Sequence, residues 1–220
     1  MHGRRWTASL GLTVATATLA ATASATTAHA GTADAAPPSS ASAAPRSGGT
    51  AAYASGVDYG TWQREVSAAV DGARAYVEQR TASPAGDKTA IVLDIDNTSL
   101  ETDFHYFWEY PTPAVRPVLD LARYAHSRGV RIFFVTARPG IIHAPTAYNL
   151  KAVGYPVAGL YVRDLPDLFE EVATYKTAKR TEIEAQGYTI IANIGNRPSD
   201  LTGGHAERTF KLPDYDGKLS

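Results

Sequence analysis

Apolar residues recur along this chain at two alternating periods. Trp62, Val66, Ala69, Val70, Ala73 and Val77 fall at helical spacing, which predicts an amphipathic helix ending before Pro84. Ala90-Ile91-Val92-Leu93 is an unbroken apolar run of the length of a buried strand. From about Ala114 to Ser127 the residues Val118, Leu121, Ala122 and Ala125 share one helical face, and Gly129 closes the segment. Val130 to Val135 reads as a second buried strand, about Thr146 to Val153 as a short helix closed by Gly154, and Gly159 to Val162 as a third strand. A longer helix is predicted from about Glu170 to Gln186, then a fourth strand over Tyr188 to Ile194 and a short edge strand over Arg208 to Leu212. Buried strands alternating with helices predict an α/β fold, a parallel sheet covered on both faces. Ligands of such sheets sit beyond the carboxyl ends of the strands.

The first 55 residues follow neither period. Arg4 and Arg5 precede an uncharged stretch of small and apolar residues to about Ala21, and Ala28-His29-Ala30 is a small-x-small cleavage signal. Residues 1–30 therefore read as a secretory signal peptide, with a mature start near Gly31. The run is too broken by Thr and Ser for a transmembrane span. The paired arginines raise twin-arginine export beside the general secretory route, although Gly3-Arg4-Arg5-Trp6 matches that signal poorly. Residues 31–55 are Ala, Ser, Thr, Pro and Gly with almost no large apolar side chain, the composition of a disordered linker. This leaves residues 56–220 as one domain, long enough for a substantial core.

Charge and cysteine usage narrow the function. Without Arg4 and Arg5 the chain keeps 19 basic residues against 22 acidic ones. That mild acidity gives no basic face for nucleic acid or an anionic membrane. The chain has no cysteine, so it carries no disulfide and no lipid-attachable thiol at the cleavage point. The lack of cysteine and of any His-x-x-x-His pattern also speaks against zinc. The expectation is a secreted protein stabilised by its own core.

Chemistry collects at the predicted strand ends. Asp94-Ile95-Asp96-Asn97-Thr98 follows the first strand, with two carboxylates two positions apart. Such a pair suits a divided role, one group ionised as nucleophile or metal ligand and the other carrying a proton. Taken alone, the pair is also what a capped turn looks like. Thr136-Ala137-Arg138-Pro139-Gly140 follows the second strand, and Gly195-Asn196-Arg197-Pro198-Ser199-Asp200 follows the fourth. Tyr175 and Lys176 lie on the helix before the fourth strand; Lys179 is the reserve candidate for the lysine role.

On these residues the chain resembles the haloacid dehalogenase (HAD) superfamily of aspartate-nucleophile phosphohydrolases. More narrowly it is similar to the secreted acid phosphatases that include plant vegetative storage proteins and class B-like enzymes. Asp94 to Thr98, Phe134 to Arg138, Asn149 to Tyr155, Tyr175-Lys176 and Arg208 to Pro213 carry the resemblance, which spans roughly Trp62 to Pro213. It implies a Rossmann-like three-layer α/β/α sheet with a small cap insert, and a Mg²⁺-dependent hydrolase acting on small-molecule phosphate monoesters. It implies Asp94 as nucleophile forming an aspartyl-phosphate, and Asp96 as general acid and then base. Thr136 and Lys176 would hold and neutralise the phosphoryl group, and Thr98 would orient the loop. Asp94, the backbone carbonyl of Asp96, Asn196 and Asp200 would hold Mg²⁺.

One position departs from the family pattern. After the fourth strand the family has Gly-Asp-x-x-x-Asp, where this chain has Asn196 in place of the first Asp. Losing that charge predicts weaker metal binding, by about 1–3 kcal/mol. Arg197 has two readings, partial compensation near an anionic substrate or a surface ion pair. The aromatic run Phe104-His105-Tyr106-Phe107-Trp108-Glu109-Tyr110 falls where the family inserts its cap. Its rings stack a nucleobase or aryl leaving group, or else simply pack the insert onto the domain. His105 and His143 are candidates to lie near the pocket, or else surface and packing residues. The alternatives are thus a storage or binding protein with weakened catalysis, or a base-selective 5′-nucleotidase.

Overall fold

The apolar runs form five parallel strands in a computed structural model that describes residues 56–83 and 86–219. The predicted signal peptide and linker lie outside the described residues. The strands are β1 (Lys88–Leu93), β2 (Arg131–Pro139), β3 (Val157–Arg163), β4 (Tyr188–Gly195) and β5 (Arg208–Lys211). They lie side by side in the order β3-β2-β1-β4-β5. Strand order therefore reverses between β1 and β4, and there the carboxyl ends open a crevice.

Side chains alternate across the sheet as the two-residue period requires. Ile91 and Leu93 of β1 and Ile132 and Phe134 of β2 enter the larger core. Ala90, Val92, Phe133 and Val135 enter a smaller core on the opposite face. The larger core is closed by α1 (Tyr59–Arg80), α2 (Arg116–Ser127) and α3 (His143–Ala152), which bury Trp62, Val66, Val118, Leu121 and Leu150. The smaller core is closed by α4 (Val172–Ala185) through Tyr175 and Ile183. This is the three-layer α/β/α arrangement expected from the alternation.

Local chemistry sets the helix ends. Asp58 caps α1 by accepting the Thr61 N–H at 2.7 Å, so this helix begins before its first apolar residue, Trp62. Glu171 caps α4 by accepting the Ala173 N–H at 2.8 Å. Gly187 leaves α4 at φ +87°, a conformation that costs a side chain but not glycine.

Two boundaries differ from expectation in ways that matter. Strand β2 runs on to Pro139, because Pro139 still registers against Arg163 of β3. Between Val135 and Pro139 the pairing with β3 shifts register, so Thr136 and Arg138 lie in an irregular stretch of the strand. A short helix, α5 (Pro198–Leu201), follows β4 and was not expected. Its signals are a proline at its first position and Asp200, whose Oδ2 reaches back to the Arg197 N–H at 2.7 Å.

Candidate active site

The loop after β1 is held from both sides before any side chain acts. The Asp94 N–H donates to the Ile194 carbonyl of β4 at 3.0 Å, and the Ser99 hydroxyl donates to the Asp94 carbonyl at 2.5 Å. The Ile95 carbonyl accepts the N–H groups of Ser99 and Leu100 at 2.8 and 2.9 Å, which coils residues 95–100. Asn97 supplies the left-handed residue the coil needs, at φ +54°, and its side chain accepts the Asp103 N–H at 3.0 Å. Short polar side chains tolerate that conformation by bonding locally.

Asp94 ends up 6% exposed. Lys176 reaches it from α4, its Nζ donating at 2.6 Å to Asp94 Oδ1 and at 2.6 Å to Asp200 Oδ1. Lys176 is itself 3% exposed. Lys179, the reserve candidate, is instead paired with Glu182 at the protein surface. Asp200 is oriented by the Arg197 N–H on Oδ2, and its carbonyl accepts Asn193 Nδ2 at 2.8 Å and Arg180 Nη1 at 3.0 Å. Gly195 makes room for this: a Cβ there would collide with the Asp200 side chain.

Burial pushes the Asp94 carboxyl up to about 7, with Lys176 pulling the other way and the nearby Asp200 and Asp96 charges adding to the rise. Burial also works against the Lys176 ammonium, but the facing Asp94 and Asp200 carboxylates outweigh it and its pKa is raised.

Asp96 is held differently. Arg138 grips it with Nε at 3.2 and 3.1 Å from Oδ1 and Oδ2, and with Nη2 at 2.7 Å from Oδ1. The Thr102 hydroxyl adds a bond to Oδ1 at 2.8 Å. Arg138 was not assigned a role from sequence; its i+2 relation to Thr136 on one strand was the available signal. Thr136 is fully buried, and its hydroxyl accepts the Arg138 N–H at 3.2 Å. The register of Leu93 opposite Phe134 sets Asp94 and Thr136 at the same edge of the sheet.

Asn196 is buried, with Oδ1 accepting the Thr98 hydroxyl at 3.3 Å, so Thr98 ties the first loop to the last. Arg197 follows neither expected reading: its Nη1 donates to the Leu219 carbonyl at 3.1 Å and holds the C-terminal segment. The aromatic run divides. Phe104 is buried and stacks on Trp62 with centroids 4.3 Å apart, so it packs the insert onto α1. Tyr106, Phe107, Trp108 and Tyr110 are exposed, Tyr106 stacked on Trp108 at 4.5 Å and Tyr110 on Tyr148 at 5.8 Å. His105 sits between two carboxylates, 3.1 Å from Glu101 and 3.2 Å from Glu109. His143 begins α3.

A family model described as HAD superfamily, subfamily IIIB (Acid phosphatase), matches residues 11–218. The chain belongs to this family. Among relatives of this HAD acid phosphatase family, a stem 28 kDa glycoprotein of Glycine max is 41% identical over 92 residues, 40% of this chain and 36% of that one. Acid phosphatase 1 of Solanum lycopersicum is 31% identical over 104 residues, covering 46% and 41%. Vegetative storage protein 1 of Arabidopsis thaliana is 26% identical over 143 residues, covering 56% and 53%. The matched segments thus span only a third to a half of these relatives. The class C acid phosphatase of Bacillus anthracis shares the fold at TM-score 0.53 and 23% identity, covering 66% of this chain and 67% of that one.

HAD phosphatases typically use a divalent metal. Among the described residues no three His, Cys, Asp or Glu side chains form a metal-ligand cluster. A cation would therefore draw on two carboxylates plus carbonyl and amide oxygens. Lys176 engages only Oδ1 of Asp94, which leaves Oδ2 as a donor. With the Asp96 carbonyl, Asn196 and Asp200, that oxygen set fits a hard cation.

Proposed function

We propose that this protein is a secreted, Mg²⁺-dependent acid phosphatase that hydrolyses phosphate monoesters through an aspartyl-phosphate on Asp94. The observation that carries the reading is the buried Lys176 ammonium, 2.6 Å from both Asp94 and Asp200 at the switch point of the sheet. A lysine so placed neutralises charge on the nucleophile and on the incoming phosphoryl group in a low-dielectric site. Asp94 attacks phosphorus, and Asp96 gives a proton to the departing oxygen and later takes one from the hydrolytic water. Thr136 binds a phosphoryl oxygen. Asp94, Asp96 by its carbonyl, Asn196 and Asp200 hold Mg²⁺, which when bound supplies further charge neutralisation at the phosphoryl group.

Export rests on the leader-like residues 1–30 and on plant relatives described as stem glycoproteins. No helix among the described residues is long and apolar enough to cross a membrane. The test is hydrolysis of p-nitrophenyl phosphate and of nucleotides with and without Mg²⁺, using Asp94→Asn as control. Metal-dependent turnover abolished by Asp94→Asn is expected, and turnover at full rate in that variant would end the aspartyl-phosphate mechanism.

Two observations favour rival readings. Asn196 and the kinship with a vegetative storage protein favour a storage protein with little turnover. Phe107 and Trp108, 89% and 64% exposed, favour a nucleotidase that stacks its base. A lack of turnover on every phosphate ester supports the first, and a strong preference among nucleotides supports the second.

A further inference from the structure

We propose that Arg138 is a positioning residue that aims the Asp96 carboxylate, reserving Oδ2 for proton transfer. The inference rests on the phosphatase reading above. The two oxygens of Asp96 are unequally loaded. Oδ1 accepts Arg138 Nη2 at 2.7 Å, the Thr102 hydroxyl at 2.8 Å and a share of Arg138 Nε at 3.2 Å. Oδ2 accepts only the other share of Nε, at 3.1 Å. A carboxylate oxygen has two lone pairs, so Oδ1 is saturated while Oδ2 keeps capacity.

The guanidinium is itself fixed. Its Nη1 donates to the Thr146 hydroxyl of α3 at 3.2 Å, and its Nη2 also lies 3.4 Å from the Thr102 hydroxyl. The edge formed by Nε and Nη2, the fork that clamps a phosphate, is turned onto Asp96. That orientation argues for aiming the proton carrier and against anchoring substrate. A lysine would supply the charge without the planar fork.

The experiment compares Arg138→Lys, Arg138→Gln, Asp96→Asn and the Arg138→Gln/Asp96→Asn double variant with the wild type. Substrates are p-nitrophenyl phosphate, whose leaving group needs little protonation, and glycerol 2-phosphate, whose alkoxide needs it. In both Arg138 variants kcat/KM on glycerol 2-phosphate is expected to fall by about 10- to 100-fold, with less than about a 3-fold loss on p-nitrophenyl phosphate. Inhibition by inorganic phosphate should stay within about 3-fold of wild type, because ground-state binding is untouched. Asp96→Asn should share the leaving-group signature, and the double variant should lose little beyond it.

Equal losses on both substrates with weaker phosphate inhibition would make Arg138 a phosphate anchor and overturn the proposal. Unchanged kinetics, or losses that multiply with those of Asp96→Asn, would overturn it too. Thr102→Val, which removes the 2.8 Å bond to Oδ1 and only the long 3.4 Å contact to the guanidinium, should show the same leaving-group bias more weakly. It keeps the idea testable if an Arg138 variant fails to fold. Full turnover in Asp94→Asn would sink the covalent mechanism, while shared or unshared losses at Arg138 and Asp96 still decide the aiming role.

Discussion

An ammonium taken out of water must have its charge answered, and at Lys176 two carboxylates do so at 2.6 Å each. Removing it leaves Asp94 and Asp200 buried and facing each other without a cation. Lys176→Met is therefore expected to lose about 3–5 kcal/mol of stability near neutral pH, read by denaturant titration. Its phosphatase rate should fall by about 10²-fold or more. Asn196 works in the opposite sense. Its amide oxygen already meets the Thr98 hydroxyl, so Asn196→Asp adds a charge without needing a new scaffold. Titration calorimetry should find Mg²⁺ bound about 10-fold or more tighter in that variant. An unchanged or lower affinity would mean that Asn196 does not limit the metal site. At this scale the positions of Asp94 and Thr136 were legible because residue type and strand-end position both carry meaning, whereas Lys176 lies on a helix. The sequence was silent on Arg138, whose partner lies 42 residues away in the chain.

The elements around the site are shaped by what they leave out. The last residue of β4, Gly195, has no room for a side chain because Asp200 occupies the place of a Cβ. Gly195→Ala should displace Asp200, cutting activity and stability together; wild-type turnover and melting would show that α5 can slide aside. The insert after β1 divides into an anchored base and an exposed tip. Phe104→Ala is expected to cost about 3–5 kcal/mol, since it removes a buried ring packed on Trp62. Phe107→Ala should stay within about 0.5 kcal/mol, because that ring is solvent-exposed. Periodicity located every strand of the sheet and the longer helices. It missed the extension of β2 to Pro139 and the helix α5, because pairing across to β3 and a single capping carboxylate decide those ends.

For the whole molecule, burial of Asp94 links folding to pH and, under the proposed function, to metal. Burial raises its carboxyl from 3.8 to about 7, so the folded state binds this proton more tightly than the unfolded one. Its contribution to stability is full below about pH 4 and is lost as pH rises through about 7. In EDTA, the melting temperature of wild type minus that of Asp94→Asn should fall between pH 4 and pH 7. A difference that is flat or rises across that window contradicts this coupling. Adding Mg²⁺ at pH 7 should restore stability to the wild type by binding the ionised form, and do so much less in Asp94→Asn.

Sequence alone determined the sheet, its alternating layers, and the placing of Asp94, Asp96, Thr136 and Asp200 near strand ends. It could do so because strand burial and helical period are written in neighbouring residues. Tertiary structure decided which groups meet: Lys176 between two carboxylates, Arg138 on Asp96, Thr98 on Asn196, and Arg197 turned away toward the C-terminal segment. Those pairings depend on strand order and register, which bring distant parts of the chain to one edge, and no local pattern records them.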